Sequence, residues 1–87
     1  MDQKKKKWLL VYTKPGSELE AQKNLENQGF KTLLPMISRV SRKGSQTYRV
    51  NPMFPRYIFI LVDLKKENWS IINSTIGVTN LITPLLD

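Results

Sequence analysis

The chain has 87 residues, of which 40% are hydrophobic and 24% charged, and its formal net charge is +7. A chain of this length supports one domain with a small core, and its composition is that of a globular protein. Because it contains no cysteine and no histidine, we expect no disulfide, no metal site and no cofactor. No apolar run approaches the roughly 20 residues of a membrane span, and the N-terminus is a poor signal peptide, so we expect a cytoplasmic protein.

Basic residues are concentrated in the middle of the chain. No acidic residue lies between Asn27 and Val62, whereas the cations of this segment are Lys31, Arg39, Arg42, Lys43, Arg49 and Arg56. Such a segment is expected to face a polyanion, and nucleic acid is the obvious candidate. The alternative is that these cations only keep a small domain soluble. Residues 1–7, with their run of lysines, are expected to form a flexible basic tail.

Two elements are predicted in the first third of the chain. Residues 8–12 have the aromatic and β-branched composition of a strand. Ser17 and Glu20 match a capping box, in which two side chains satisfy free amides at a helix start. This helix should run to Gln28 and end at Gly29, which readily adopts positive φ. Its apolar stripe is thin and consists of Leu19, Ala21 and Leu25.

The middle of the chain is predicted to be extended. Residues 30–36 favour a second strand, and residues 37–50 favour a hairpin with its tip at 42–45. Pro55 can precede a strand without interrupting its hydrogen bonds, so the next strand is predicted at residues 56–62.

A second helix and a last strand complete the prediction. Asp63 is a candidate cap for this helix, and Gly77 ends it before a strand at residues 78–83. The apolar residues that recur along the helix at helical spacing are Trp69, Ile72 and Ile76. The predicted order is β-α-β-β-β-α-β. This is an α+β fold with an antiparallel sheet, two flanking helices and a protruding basic hairpin.

Both faces of the strand at residues 56–62 are apolar. Side chains alternate along a strand, so one face carries Tyr57, Phe59 and Leu61, and the other Ile58, Ile60 and Val62. The first strand repeats the pattern, with Trp8, Leu10 and Tyr12 on one face and Leu9 and Val11 on the other. Two helices cover only one face of a small sheet, so the aromatic face is predicted to bind a partner. The alternatives are that the hairpin folds over this face or that a homodimer covers it.

The residues Phe54-Pro55-Arg56-Tyr57-Ile58-Phe59 resemble the Phe-Pro-x-Tyr-hydrophobic-Phe element of the NusG family of transcription elongation factors. Asn51-Pro52-Met53 resembles the run into that element, and the other matching features are Trp8, the charged first helix, the basic hairpin, Trp69 and Gly77-Val78. The similarity covers nearly the whole chain and corresponds to the N-terminal domain of the family. It leans towards the specialised paralogue RfaH through Phe59, Met36-Ile37 and Ile72-Asn73-Ser74-Thr75.

The resemblance implies a factor for transcription elongation and antitermination. In the family an aromatic face binds the clamp helices of the largest subunit of bacterial RNA polymerase, which assigns to this site Tyr12, Phe54, Pro55, Tyr57 and Phe59. The first helix and the hairpin would contact the non-template DNA strand through Asn24, Asn27, Gln28, Arg39, Arg42, Lys43 and Arg49. Residues 1–87 would form one N-terminal-like domain, without the C-terminal KOW domain that the family normally has.

Two other classes of function are weighed against this one. A stand-alone RNA-recognition module also stacks single-stranded RNA on sheet aromatics such as Tyr57 and Phe59. However, residues 56–59 lack the Lys/Arg-Gly-Phe-Gly-Phe-Val core of its signature. An enzyme is not expected, because no nucleophile with a base and no glycine-rich phosphate loop is recognisable. Asp63 and Glu67 more simply cap a helix and favour its dipole.

Overall fold

The structure is a computed structural model that describes residues 6–40 and 48–83. Within these ranges the chain forms six strands and two α-helices. In chain order they are β1 Lys7–Thr13, α1 Glu18–Asn27, β2 Lys31–Leu33, β3 Met36–Val40, β4 Tyr48–Pro52, β5 Tyr57–Val62, α2 Ser70–Asn73 and β6 Val78–Ile82. The predicted α+β class is confirmed. The chain has one strand more than the predicted order, because the strand predicted at 30–36 and the first strand of the hairpin are two elements, β2 and β3, with Leu34 and Pro35 between them.

The strands form two antiparallel sheets. The larger sheet has the order β2-β5-β1-β6. β1 and β5 are aligned from Lys7 opposite Val62 to Tyr12 opposite Tyr57, so Lys7 belongs to β1 and not to the predicted tail. Residues 1–5 lie outside the described ranges. β3 and β4 form a separate two-stranded ribbon, which confirms the predicted hairpin, although its predicted tip at 42–45 also lies outside the described residues.

Both helices pack on one face of the larger sheet, which we call the inner face. The core residues are Val11, Ala21, Leu25, Phe30, Leu34, Ile58, Ile60, Val62, Ile72, Val78 and Leu81. Ala21 and Leu25 confirm two members of the predicted stripe of α1, but Leu19 is 63% exposed and that assignment was wrong. Glu18 lies on the buried side in its place. Its carboxylate accepts a hydrogen bond from the backbone amide of Arg56 at 2.8 Å, which compensates for its burial.

The two ends of α1 differ in how well the sequence predicted them. Ser17 is the N-cap residue, but the predicted capping box with Glu20 is wrong, because the Ser17 side chain makes no capping hydrogen bond. The backbone of Ser17, at φ −107° and ψ 17°, lies outside the β region that N-cap residues typically adopt. At the other end the prediction is confirmed, since Gln28 is the C-cap residue and Gly29 has a φ of +96°.

Asp63 begins a closed turn and not the predicted helix. Its carboxylate accepts a hydrogen bond from the amide of Lys65 at 3.0 Å. Its own amide donates to the carboxylate of Glu67 at 2.8 Å, and its carbonyl accepts from the Glu67 amide at 2.9 Å. These hydrogen bonds pair the groups of Asp63 and Glu67 that were predicted to cap a helix. They close a single turn, and no helix begins at Asp63.

The second helix is therefore only four residues long. Of the predicted stripe, Ile72 is buried in the core, whereas Trp69 is exposed and Ile76 is 72% exposed. The spacing of these apolar residues predicted a longer helix, but in the fold only one helical turn forms. In the ranges that the structure describes, no helix is long and apolar enough to cross a membrane.

Gly77 sets the position of β6 next to α1. Its φ is +95°, and a Cβ atom built on it would lie 3.1 Å from the Cβ of Ala21. Its carbonyl accepts a hydrogen bond from the amide of Lys14 at 2.9 Å. The close approach of the backbone to Ala21 therefore requires a residue without a side chain.

Candidate interaction surface

The face of the larger sheet that points away from the helices, which we call the outer face, is apolar across all four strands. Side chains at paired positions of neighbouring strands lie on the same face. The register forms a central row across the sheet of Leu33, Phe59, Leu10 and Ile82. The row on one side contains Lys31, Leu61 and Trp8, and the row on the other contains Tyr57, Tyr12 and Asn80. The outer face is defined by these ten positions, at which there is no acidic residue.

The two faces of β5 differ in accessibility as the alternation predicts. Ile58, Ile60 and Val62 are buried, whereas Tyr57, Phe59 and Leu61 are half-buried. Elsewhere on the outer face, Trp8 is 48% and Leu33 is 53% exposed. Clusters of exposed large apolar side chains on a monomer typically mark an interaction surface.

The predicted aromatic residues make two pairs, one within the outer face and one between it and the turn before β5. The rings of Tyr12 and Tyr57 have centroids 5.4 Å apart and are tilted by 47°. Phe54 and Phe59 meet edge to face, with centroids 6.1 Å apart. Pro55 is exposed in the turn that precedes β5. Both pairs have favourable ring geometry, so they hold the aromatic surface in a defined shape.

Arg56 contacts this surface but was not among the predicted site residues. It lies in the turn before β5, where its φ is +73°. This left-handed conformation costs a residue other than glycine about 1–2 kcal/mol, so contacts must hold it. Its amide donates to Glu18 at 2.8 Å and its Nε to the carbonyl of Thr13 at 3.0 Å. Its guanidinium carbon is 4.1 Å from the centre of the Tyr12 ring, a cation–π distance.

Leu33 and Ile82 were also absent from the predicted site. They belong to β2 and β6, which form the two edges of the sheet. Their membership of the outer face depends on pairing with Phe59 and Leu10, which are distant in sequence. The short polar and apolar runs around them contain no signal for that register. Trp8, in contrast, was placed on this face by alternation along β1.

A groove of about 420 Å³ lies between the end of α1 and residues 70–76, which we call the α2 segment. It is lined by Asn24, Asn27, Gln28, Ile71, Ser74, Thr75 and Ile76. The fold therefore brings together the three amide side chains that were predicted to contact DNA, and adds hydroxyl groups and two isoleucines to them. We call this site the amide groove.

The three amides of the groove have different hydrogen bonds. Asn24 donates from Nδ2 to the carbonyl of Ile76 at 3.0 Å. Gln28 donates from Nε2 to the hydroxyl of Thr75 at 2.8 Å and to the carbonyl of Asn24 at 3.2 Å. Within residues 6–40 and 48–83, Asn27 makes no side-chain hydrogen bond, and it is exposed. Asn24 and Gln28 thus tie α1 to the α2 segment, and Asn27 remains available to a ligand.

The basic ribbon is described only in part. Arg39 on β3 is directly opposite Arg49 on β4 in the backbone register. Arg42 and Lys43, which were predicted to contact DNA, lie outside the described residues.

On a small α+β domain, an accessible apolar sheet face typically marks an interaction surface. The sequence matches the family described as transcription termination factor NusG over residues 6–85, and the chain belongs to the NusG family. It is similar to the transcription termination/antitermination protein NusG of Streptomyces coelicolor, with 26% identity over 86 aligned positions. That match covers 86% of this chain and 28% of the relative, so the chain spans less than a third of the relative's length. The predicted family is confirmed, and the leaning towards RfaH stays a prediction.

Proposed function

We propose that this domain acts in transcription elongation and antitermination by binding bacterial RNA polymerase through its outer face. The partner element is the pair of clamp helices of the largest subunit, as the resemblance to the NusG family implies. The observation that carries the proposal is the apolar row across four strands, with Leu33 at one edge and Phe59 at its centre.

The composition of the outer face suits a helical protein partner. Leu33, Leu10 and Ile82 supply aliphatic surface beside the aromatic pairs. Aliphatic side chains complement the apolar stripe of an amphipathic helix, whereas bases of single-stranded RNA stack on aromatic rings. The row therefore favours the polymerase over the RNA-recognition alternative.

The first experiment removes two aromatic anchors. The variant Tyr57→Ala with Phe59→Ala should lose binding to purified core RNA polymerase, because truncation of a central aromatic anchor typically costs about 2 kcal/mol or more. The matched control is Leu19→Ala, which truncates an exposed leucine on α1, away from the outer face. Circular dichroism should show that both variants are folded. If the double variant unfolds, these rings belong to the core; if it binds like the control, the outer face is not the contact.

We propose further that the domain contacts the non-template DNA strand through the amide groove and the basic ribbon. Arginine and lysine contacts to phosphate position a protein, whereas an amide can pair with the edge of an unpaired base. Asn27 is the groove amide that has no side-chain hydrogen bond to the residues described (6–40 and 48–83), and Arg39, Arg42, Lys43 and Arg49 supply the positive charge. The domain alone should bind single strands weakly, since few phosphates are contacted.

Salt dependence separates these two kinds of contact. If about three phosphates are neutralised, log K should fall against log salt with a slope of roughly −2 for single strands. Arg42→Ala with Lys43→Ala should flatten the slope by about one to two units and leave polymerase binding intact. Lys14→Ala with Lys65→Ala removes the same charge from exposed positions elsewhere and should change the slope less.

A separate prediction concerns base recognition by the amide groove. Asn27→Ala should alter the preferred DNA sequence with nearly unchanged salt slope, because an amide contact carries no charge. The comparison is Asn24→Ala, which also removes an internal bond to Ile76 and should lower stability. An unaltered sequence preference in the Asn27 variant would exclude the groove as the base contact.

A further inference from the structure

Arg56 connects three separate parts of the chain at the end of the outer face. Its carbonyl accepts a hydrogen bond from the amide of Thr13 at 2.8 Å, and its Nε donates back to the carbonyl of Thr13 at 3.0 Å. Its amide is held by the buried carboxylate of Glu18 on α1 at 2.8 Å. Backbone and side chain of one residue therefore join β1, α1 and the start of β5.

The same contacts fix where the guanidinium lies. The Nε bond and the left-handed backbone leave the side chain directed across Tyr12, with the guanidinium carbon 4.1 Å from the ring centre. The second aromatic neighbour of Tyr12 is Tyr57, at 5.4 Å between ring centroids. Tyr12 thus contacts both a cation and a second ring.

We propose that Arg56 is a positioning residue, which orders the Tyr12–Tyr57 pair for binding while Glu18 holds the strained turn. The binding part of this inference rests on the proposed function, because the ordered pair belongs to the face assigned to RNA polymerase. The strain of a left-handed arginine is retained because glycine, which adopts this φ freely, supplies no guanidinium to order the ring.

The test compares the folded state and binding in one variant. Arg56→Gly relieves the backbone strain and removes the guanidinium, so thermal stability should stay equal or change little. The ring resonances of Tyr12 and Tyr57 should shift or broaden in the NMR spectrum of the free domain. Because binding must then order a ring that Arg56 no longer holds, the affinity for core RNA polymerase should fall by about fivefold. Arg56→Lys, which keeps a cation, should partly restore the wild-type ring resonances and the affinity for polymerase.

A second variant keeps the test valid if Arg56→Gly does not fold. Arg56→Asn retains a residue that tolerates positive φ and also lacks the guanidinium. Unchanged ring resonances together with wild-type affinity in a folded Gly or Asn variant would overturn the proposal. The NMR measurement needs no polymerase. If Tyr57→Ala with Phe59→Ala still binds polymerase, the proposed function fails, and altered rings in the Arg56 variants would still support the positioning.

Discussion

The inner and outer faces of the four-stranded sheet are both apolar, but they differ in what covers them. On the inner face Ile58 and Ile60 are fully buried under α1 and the α2 segment. On the outer face Tyr57 and Phe59, from the same strand, are half-buried, and Leu33 is exposed. The hydrophobic effect gives stability only where surface is removed from water by folding. The inner face therefore stabilises the domain. The outer face is only partly buried by folding, so covering it with a partner would contribute free energy to binding.

This comparison predicts that truncations on the two faces separate stability from binding. The largest effect on stability should come from Ile58→Ala on the inner face, since truncating a buried isoleucine costs about 2–5 kcal/mol. A domain of this size is marginally stable, so much of it should unfold at low urea concentration. Phe59→Ala, one residue further along β5, is the matched control. A larger loss of stability in the Phe59 variant would reverse the assignment of the faces.

A second prediction concerns the packing that covers the inner face. Gly77→Ala should destabilise the domain by about 2 kcal/mol or more, because positive φ is strained and the new methyl meets Ala21. Gly16→Ala is the control, since its φ is +73° and, among the residues that the structure describes, no atom beyond its chain neighbours lies within 4 Å of the new Cβ. Urea denaturation of both variants separates the contact from the strain. Equal losses in the two variants would show that α1 does not pack closely on Gly77.

The smallest change in stability is expected on the outer face. Leu33→Ala should leave the free energy of unfolding within about 0.5 kcal/mol of wild type, as for most exposed positions. The same substitution should weaken polymerase binding by about 1 kcal/mol or more if Leu33 contacts the partner. Titration of labelled domain with core polymerase measures the second quantity. A destabilised variant with unchanged affinity would mean that Leu33 supports the fold instead.

Two local signals in the sequence predicted parts of the fold correctly. The alternation along β5 separated its two faces, and Gly29 marked the end of α1 by its positive φ. The Tyr12–Tyr57 pair follows from that alternation once β1 and β5 are neighbours. A period of two residues is a strong signal because each residue can lie on only one of two faces.

The errors have two origins, because local groups can pair differently from the expected pattern and because distant contacts can decide the structure. Asp63 and Glu67 carry the residue types of a helix start, but they close an isolated turn. Glu18 can be buried because its carboxylate accepts a hydrogen bond from the backbone amide of Arg56, which lies 38 positions away in the chain. The left-handed backbone of Arg56 is rare for residues other than glycine and asparagine, so no sequence pattern indicates it.

The most direct test of the central claim is a photo-cross-linking comparison of two exposed leucines. p-Benzoylphenylalanine would replace Leu33 on the outer face, which is 53% exposed, or Leu19 on α1, which is 63% exposed. Each labelled domain would be irradiated with core RNA polymerase, and the cross-linked subunit identified by mass spectrometry. We expect the probe at position 33 to cross-link to the clamp helices of the largest subunit and the probe at position 19 to give no such product. Cross-linking from position 19 alone, or equally from both positions, would contradict the claim that the outer face is the polymerase-binding surface.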